Sequence, residues 1–467
     1  MVRYPRKTVT LTVFNVDTKI SGCYPRKEVN LATSYKVDGC QFSPAYKMGV
    51  WDGREKLLAK GVFPTGLLSQ VEKVLKDNNV KYEIEDRRLI PPPASRSAQL
   101  SVSLREYQEE VVQEAIDKSR GVIWLATGGG KTEIAGAITK SLGLPTLFLV
   151  HRTNLLTQTV QRFKDRLGCN IGMIGSGKWE PATITVATVQ TLASRLADKK
   201  HAKKTKEFLQ GIDVLFLDEC HLATAKTWIE VAKNCFAGYR FGLSGTPTVE
   251  GRGMWLVGLT GPVISKVSYE ELIKGEHLVP PVITFVGVST PKLPKNLEYQ
   301  EVYDIGICTN AYRNKVIVEL AAELVACQKP TLILVWKVSH GELISSMLTD
   351  FGIQNVFLQG GTSTEARDEA IKNMKLGNQQ VIVATSIFDE GLDIPSIQAV
   401  VLAGGGKSWS KLLQRVGRGV RRDDAAGKTK VEIFDFADST HKYLVEHSLE
   451  RLGIYRDQGF EVQNIVF

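Results

Sequence analysis

Short apolar runs alternate with amphipathic segments along most of the chain after residue 100. Four runs in the first half predict buried strands: Val122–Leu125, Thr146–Val150, Thr183–Val186 and Val214–Leu217. Three more follow in the second half: Thr331–Val335, Gln380–Ala384 and Ala399–Leu402. Near-continuous apolar strands separated by helical segments are typical of a parallel sheet that is covered on both faces. The pattern therefore predicts an α/β fold with two parallel-sheet lobes in tandem.

Two stretches interrupt this pattern. Three consecutive prolines at 91–93 cannot donate backbone hydrogen bonds and favour an extended chain. Before them, short alternating strands surround a helical segment, as in a small α+β module. The apolar pattern lapses again from about Ser265 to Asn314. We predict an α+β module at 1–90, a linker at 91–99, a first lobe at 100–264, an interlobe connection at 265–314 and a second lobe at 315–467.

Composition narrows the class of protein. The 467 residues are 43% hydrophobic and 23% charged, which is ordinary for a globular protein. No apolar run reaches the roughly 18 residues that span a bilayer, and the N-terminus alternates apolar and polar residues, unlike a signal peptide. The seven cysteines are scattered without zinc-binding spacing, so we expect reduced thiols. These observations predict a cytoplasmic protein, in the host cell if it is viral, with no membrane partner.

Net charge points to an anionic partner. The formal charge is +9 and the pI is about 9.0. Residues 1–95 hold 16 Lys and Arg against 10 Asp and Glu, so much of the excess lies in the predicted N-terminal module. A basic surface of this kind suits nucleic acid, although it can also be only a solvated face.

A glycine-rich loop follows the first predicted strand of the first lobe. Gly128, Gly129 and Gly130 precede Lys131 and Thr132 at the start of a helical segment. Glycines let backbone N–H groups converge on phosphate oxygens, and the helix N-terminus adds partial positive charge. Lys131 can reach the β- and γ-phosphates of ATP, and the Thr132 hydroxyl can ligate Mg²⁺. The alternative is a plain glycine-rich turn.

A second polar group ends the predicted strand Val214–Leu217. Asp218 and Glu219 lie where parallel sheets bind their ligands, at the carboxyl end of a strand. Asp218 would hold Mg²⁺ beside Thr132, and Glu219 would orient and deprotonate the attacking water. His221 is expected to link the metal site to the lobe interface, or it is a hydrogen-bonded structural histidine.

The sequence Asp218-Glu219-Cys220-His221 is a DExH box, and the other motifs of the superfamily 2 helicases follow in order over about residues 100–440. The chain thus resembles this family, which implies two RecA-like lobes that use ATP and Mg²⁺ to move on nucleic acid. The resemblance implies further ATP-binding residues: Arg105, Gln108, Gly391 and Asp393. It implies coupling residues between hydrolysis and strand movement: His221, Ser244, Thr246 and Gln414. It also implies nucleic-acid contacts in the two lobes: His151, Arg152, Thr188, Gln190 and Thr385.

The family motif at residues 414–422 supplies two arginines with a physical role of their own. Arg415 and Arg418 are three residues apart, so on a helix they face the same way. A planar and permanently charged guanidinium suits a γ-phosphate whose charge spreads in the transition state. We therefore expect both to be catalytic with Lys131, Asp218 and Glu219. An isolated pair of this spacing would be an ordinary basic helix.

The N-terminal module resembles the front domain of UvsW-type phage helicases, which remodel branched DNA. The resemblance lies in residues 42–58 and 63–67, and Asn310–Asn314 is also similar to that group. Residues 42–58 interleave aromatic and cationic side chains, which can stack on bases and pair with phosphates. The candidate DNA contacts are Tyr46, Lys47, Trp51 and Arg54. Alternatively, Tyr46 and Trp51 belong to the small core of the module.

The expected function is that of an ATP-dependent DNA helicase or translocase, acting as a monomer on forks and four-way junctions in recombination, replication or repair. The 3′-to-5′ direction is implied only by the resemblance. An RNA helicase is an alternative interpretation, because such a motor binds mainly the sugar-phosphate backbone. The motor subunit of a restriction or repair complex is a third possibility. The intact motifs argue against a nucleic-acid-binding scaffold with an inactive nucleotide site. The sequence does not indicate any protein partner.

Overall fold

The computed structural model describes residues 8–94, 103–247, 249–385, 394, 396–406, 417, 420 and 427–463. The chain divides into two compact units, residues 1–125 with 130–266 and residues 126–129 with 267–467. In the described ranges, no helix has both the length and the apolar character that a membrane crossing requires.

The N-terminal part of the first unit, residues 8–94, is called the front module below. Its strands are β1 (Val9–Val13), β2 (Asp17–Ser21), β3 (Ser34–Lys36), β4 (Arg54–Lys56), β5 (Val62–Pro64) and β6 (Tyr82–Asp86). Its helices are α1 (Arg26–Ala32), α2 (Pro44–Lys47) and α3 (Leu68–Asp77). Four strands form a sheet in the order β5-β2-β1-β6, and β3 pairs with β4 separately. The predicted α+β character of this module is therefore confirmed.

The first lobe is an eight-stranded sheet with helices. Its strands are β7 (Arg120–Leu125), β8 (Thr146–Val150), β9 (Ile171–Gly175), β10 (Lys178–Glu180), β11 (Ile184–Thr188), β12 (Val214–Asp218), β13 (Tyr239–Ser244) and β14 (Val263–Val267). Its helices are α4 (Glu106–Lys118), α5 (Lys131–Leu142), α6 (Thr153–Leu167), α7 (Val189–Ala197), α8 (Ala202–Gln210), α9 (Lys226–Asn234) and α10 (Met254–Thr260). The strand order is β10-β9-β11-β8-β12-β13-β7-β14, and the strands from β9 to β7 in this order pair in parallel.

The second unit contains a seven-stranded sheet. Its helices are α11 (Tyr269–Lys274), α12 (Tyr299–Tyr303), α13 (Ala311–Ala326), α14 (Val338–Asp350), α15 (Thr364–Lys375) and α16 (Lys442–Asp457). Its strands are β15 (Pro281–Val288), β16 (Thr331–Leu334), β17 (Asn355–Leu358), β18 (Val381–Ala384), β19 (Ala399–Val401), β20 (Val431–Asp438) and β21 (Glu461–Gln463). The order is β17-β18-β16-β19-β20-β15-β21, and every pairing is parallel.

The predicted fold class is confirmed. Both lobes have parallel sheets, and the central strands are buried along their length, as β8 and β16 illustrate. Residues 265–314, predicted as a connection, instead contribute β15 to the second sheet. The pattern hid this strand because Pro280 and Pro281 stand at its start, where a proline is tolerated without loss of a ladder bond.

The front module packs on α10 of the first lobe. The apolar core of the module includes Val257, with Met254 and Trp255 packed against it. The module and α10 approach each other closely at Gly66, where a Cβ atom would lie 1.8 Å from the Val257 carbonyl oxygen. The chain after the module also lies against the lobe, because the Ala94 amide donates to the Leu142 carbonyl at 2.7 Å. The described part of the proline-rich segment is thus held by the lobe.

The second unit holds a buried cluster of ion pairs. Arg313 Nε donates to Asp438 at 2.8 Å, and Arg451 Nε donates to Asp435 at 2.9 Å. All four side chains are at most 3% exposed. Further donors and acceptors from the backbone complete the cluster, including a bond from Arg313 to the Ala403 carbonyl at 2.6 Å. Within Asn310–Asn314, Asn310 caps α13 by accepting a hydrogen bond from the Arg313 amide at 3.1 Å, and the Arg313 side chain anchors the helix to Asp438.

Candidate active site

The glycine-rich loop joins β7 to α5. Gly128 and Gly130 have φ angles of +93° and +87°, and the Gly129 amide donates to the Ala126 carbonyl at 3.0 Å. A Cβ atom at Gly130 would lie 2.4 Å from Gln108 Nε2, so only glycine fits there. Helix α5 begins at Lys131, immediately after the loop. The unpaired N–H groups of its first turn therefore follow the loop, as an anion site requires.

Gln108 lies against this loop from the start of α4. It is 5% exposed, and its Oε1 accepts a hydrogen bond from the Arg105 amide at 3.0 Å. Arg105 Nη1 lies 3.4 Å from the Tyr107 hydroxyl. The structure therefore places Gln108 beside Gly130 and Arg105 beside Gln108, and their role in binding the nucleotide stays a prediction.

Lys131 and Glu219 form the ion pair of the site. Strand order places β12, β13 and β7 side by side, so their carboxyl ends share one edge of the sheet. Lys131 Nζ donates to Glu219 Oε1 at 2.6 Å, with the two side chains 16% and 22% exposed. The motif residues are thus brought into direct contact, although they are 88 positions apart in the chain.

The chain makes a sharp turn at Glu219, directly after β12. Glu219 has a φ of +47°, a left-handed conformation that costs a non-glycine residue about 1 kcal/mol. The turn is packed tightly, because a Cβ atom at Gly242 of β13 would lie 3.0 Å from Cys220 Sγ. Cys220 is fully buried and serves packing.

A polar chain continues from Glu219 to the end of β13. His221 Nδ1 lies 3.4 Å from Glu219 Oε2 and 3.3 Å from Ser244 Oγ. The Thr246 amide donates to the same Ser244 Oγ at 3.1 Å. Three of the predicted coupling residues, His221, Ser244 and Thr246, are therefore connected to the catalytic candidate Glu219.

Burial and mutual charge shift the pKa values at this edge. Burial, with the negative charge of Glu219, raises the pKa of Asp218. Burial also acts to raise the pKa of Glu219, but Lys131 and His221 outweigh it and hold that pKa below its usual value. Burial acts to lower the pKa of Lys131, but Glu219 and Asp218 raise it overall. Lys131 and Glu219 therefore remain charged at neutral pH.

The donor set at this edge fits a magnesium ion. Thr132 lies in the first turn of α5 and Asp218 ends β12, so a hydroxyl and a carboxylate oxygen are available. These hard oxygen donors are the ligands that Mg²⁺ prefers. The negative charge of Glu219 also raises the free-energy cost of ionising Asp218, which a divalent cation would relieve. Among the described residues, no group of three or more His, Cys, Asp or Glu side chains forms a metal cage. Thr132 and Asp218 are therefore the residues that would hold the ion.

The predicted nucleic-acid contacts of the first lobe differ in accessibility. Gln190 Nε2 donates to the His151 carbonyl at 2.8 Å, which brings these two predicted residues together. Arg152 and Gln190 are exposed. Thr188 is 4% exposed, and its hydroxyl donates to Thr191 at 2.7 Å. Thr188 therefore supports the turn before α7.

The structure describes only some of the predicted site residues of the second lobe. Thr385 follows β18, is 5% exposed and donates its amide to the Leu358 carbonyl at 3.1 Å. Five other predicted site residues lie outside the described ranges: Gly391, Asp393, Gln414, Arg415 and Arg418.

Three of the four front-module candidates are engaged within the module. A Cβ atom at Gly53 would lie 2.8 Å from the Tyr46 ring, which therefore packs on this turn. Trp51 Nε1 donates to the Arg54 carbonyl at 2.9 Å. Arg54 itself donates to the Ser34 hydroxyl at 2.9 Å and to the Ser34 carbonyl at 2.6 Å. Lys47 is exposed at the end of α2.

Sequence reasoning missed a cavity elsewhere in the front module. Arg26 and Lys60 line it, although they are far apart in sequence and belong to no motif. The available signal was the Lys60-Gly61 pair, a two-residue turn between apolar positions.

Three protein-family models match the chain in order. Residues 27–85 match "DNA helicase UvsW, N-terminal", residues 101–249 match "Type III restriction enzyme, res subunit", and residues 313–423 match "Helicase conserved C-terminal domain". The matches thus cover the front module and both lobes.

Individual relatives agree with these matches. The chain is 28% identical to the ATP-dependent DNA helicase uvsW of Enterobacteria phage T4, over 91% of this chain and 92% of the relative. It is 26% identical to the DNA 3′-5′ translocase XPB2 of Sulfurisphaera tokodaii, over 83% and 93%.

Solved structures support the fold. Dbp5 of S. cerevisiae, bound to RNA and ADP BeF3, has a TM-score of 0.55 and 18% identity, covering 77% of this chain and 89% of that one. With its DExH box, its phosphate loop and two RecA-like lobes that follow a UvsW-type front module in the sequence, the chain is an ATP-hydrolysing helicase of superfamily 2.

Proposed function

We propose that this helicase is a DNA motor that moves in the 3′-to-5′ direction and remodels forks and four-way junctions during recombination, replication or repair. The observation that carries the proposal is the UvsW-type front module packed directly on α10 of the ATP-binding lobe. A motor with a rigidly attached second module can hold a branch while it pulls on one strand. The DNA helicase and 3′-5′ translocase activities named for the relatives support the substrate and the direction. The protein would act as a monomer, in the host cytoplasm if the chain is viral.

ATP hydrolysis would begin with an exchange of partners at Lys131. Lys131 is paired with Glu219, and the phosphates of ATP offer it a competing anion. When Lys131 turns to the β- and γ-phosphates, Glu219 is released to orient the attacking water and accept its proton. The pair thus holds the general base inactive until nucleotide is bound.

Mg²⁺ would be held by Thr132 and Asp218, the latter directly or through water. Bound there, it would neutralise charge that develops on the phosphates. Arg415 and Arg418 would approach the γ-phosphate from the second lobe, and Gly391 and Asp393 would help to bind the nucleotide. Hydrolysis would then require a closed cleft, which links the nucleotide state to lobe movement.

Strand movement would be coupled to hydrolysis through the chain from Glu219 to Thr246. Release of Glu219 from Lys131 changes the charge that faces His221, and His221 contacts Ser244 at the end of β13. Gln414 would receive this change on the second lobe. Arg152, His151 and Gln190 would contact the DNA backbone, whereas the buried Thr188 and Thr385 would position the loops that do so.

The proposal is tested by the rate of ATP hydrolysis with five additions: no nucleic acid, single-stranded DNA, duplex DNA, a synthetic four-way junction and an RNA copy of the single strand. We expect the junction to stimulate hydrolysis most. Equal or greater stimulation by RNA would contradict DNA as the substrate, because the 2′-hydroxyls of RNA would then not weaken binding.

A further inference from the structure

The front module contains a cavity that none of its sequence motifs marks. It has a volume of about 420 Å³ and lies between the end of β2, the start of α1 and the turn before β5. Polar and aromatic side chains line much of it: Ser21, Tyr24, Arg26, Asn30 and Lys60. We propose that this cavity binds one nucleotide unit of a DNA strand, with its phosphate on Arg26 and Lys60 and its base or sugar on Tyr24. The proposal rests on the DNA-motor function above and names where the front module holds the DNA.

Charge at the cavity favours a phosphate. No carboxylate lines it, and neither Arg26 nor Lys60 forms an ion pair within the described residues. Three other cations of the module do pair with carboxylates, in Lys56–Asp52, Arg87–Glu85 and Arg88–Asp86. Two exposed cations at one cavity without a counter-charge are the arrangement that phosphate contacts use.

The backbone at Lys60 indicates that the position of this cation is built into the turn. Lys60 and Gly61 both have positive φ angles, +51° and +76°. They form a two-residue hairpin turn, since Ala59 and Val62 exchange two backbone hydrogen bonds of 2.9 Å. Such turns favour asparagine before glycine, and lysine is strained there. The turn therefore carries a cation at the cavity at the expense of local stability.

The other walls suit the rest of a nucleotide. Tyr24 is half-buried against the core of the module, and the Arg26 guanidinium carbon lies 5.8 Å from its ring centroid. An aromatic face held in place beside a guanidinium can stack on a base or sugar. Asn30 and Ser21 add hydrogen-bonding groups at the same cavity. The volume lies in the range of natural small-ligand sites.

The experiment measures the affinity of the full chain for a fluorescent four-way junction at several salt concentrations. The variants are Lys60→Asn, Arg26→Gln and the double substitution, and the matched control is Lys73→Gln on an exposed face of α3. Lys60→Asn is a favourable probe because asparagine suits the turn, so its unfolding midpoint should be equal or higher. Arg26→Lys keeps the charge.

We expect each single loss of charge to weaken binding about fivefold near 0.1 M salt and the double loss about twenty-fivefold. The slope of log K against log salt should fall by about 1 for each cation removed. Arg26→Lys should keep the wild-type slope, and Lys73→Gln should change neither quantity. A Tyr24→Leu variant should weaken binding without changing the slope.

Wild-type affinity and slope in the folded double variant would overturn the proposal, as would an equal loss in Lys73→Gln. Binding of inorganic phosphate that is lost in the double variant, with the same junction affinity and salt slope in both proteins, would identify a site for free phosphate and would also overturn it. Failure of the DNA-motor function is recognised separately, because ATP hydrolysis by the wild type would then not respond to DNA.

Discussion

Each unit contains a cluster of charged side chains, and the two clusters differ in what surrounds them. Lys131 and Glu219 remain 16% and 22% exposed at the edge of the first sheet. Arg313 and Asp438 of the second unit are 0% and 3% exposed. Arg313 is held by a second acceptor, the Ala403 carbonyl, whereas the Lys131 ammonium lies beside a glycine loop suited to phosphate.

The comparison shows how burial decides the use of an ion pair. A pair that is buried and fully hydrogen-bonded is costly to break and cannot readily exchange partners. A pair at a strand edge can be opened by a competing anion, because water and ligand reach it. The first cluster is therefore suited to a catalytic cycle and the second to holding α13 and β20 together.

Removing the charge of Glu219 should affect activity and spare folding. Glu219→Gln is expected to lower DNA-stimulated ATP hydrolysis by roughly 10²- to 10⁴-fold, the usual contribution of a general base. The unfolding midpoint should change little, since Lys131 is partly exposed and can be hydrated. Steady-state phosphate release and denaturant unfolding on the same preparation measure both effects. Unchanged hydrolysis would rule out Glu219 as the base.

Removing the charge of Asp438 should do the opposite. Asp438→Asn leaves the Arg313 guanidinium buried without a counter-charge, and arginine cannot lose its proton to escape the cost. We expect a loss of roughly 3–5 kcal/mol in the free energy of unfolding, measured by denaturant titration. Arg313→Met should cost less, because burial already raises the pKa of Asp438 and the carboxyl can become neutral. A loss below 1 kcal/mol in Asp438→Asn would contradict the structural role.

The second unit should also lose stability in acid through His340. Burial, with the charge of Arg313, lowers the pKa of His340 from 6.5 to about 3. The unfolded chain therefore binds a proton more readily than the folded chain between these values. The free energy of unfolding is therefore not reduced by His340 above pH 6.5. It falls as the pH is lowered below that value, by about 2 kcal/mol at pH 5. Unfolding of wild type and His340→Gln at pH 7 and pH 5 measures it, and a parallel pH dependence in the variant would exclude His340 as its source.

Docking of the front module should depend on the absence of a side chain at Gly66. Gly66→Ala places a Cβ atom against the Val257 carbonyl oxygen and is expected to destabilise the first unit by about 1–3 kcal/mol. Gly453→Ala is the control, because nothing lies near its Cβ position within α16 and alanine favours a helix. Calorimetry should show a lower midpoint for the first variant and an equal or higher one for the second. A stable Gly66→Ala protein would contradict the close packing.

The sequence located the phosphate edge because its signals are local. Asp218 directly follows four apolar residues, and Lys131 directly follows three glycines, so each position in the fold is set by its neighbours. Parallel pairing then brings the strand ends together. The Lys131–Glu219 contact itself was not predicted, because it depends on the side-chain geometry at that edge.

The front module shows where local signals fail. The aromatic and cationic composition of residues 42–58 suits DNA, yet Arg54 bonds to Ser34 and the Tyr46 ring packs on Gly53. Such partners lie up to 20 residues away, and composition alone does not reveal them. The packing of the module on Val257 involves residues even more distant in the chain and was likewise not predicted.

The decisive measurement is the ATP-dependent conversion of a synthetic four-way DNA junction, followed on a native gel. Wild type and Glu219→Gln are compared at equal concentrations, with bound junction quantified in both. We predict that wild type converts the junction to its branch-migration products only with ATP, and that Glu219→Gln binds the junction without converting it. A wild-type protein that hydrolyses ATP and leaves the junction intact, while it separates an RNA duplex, would contradict a DNA branch motor.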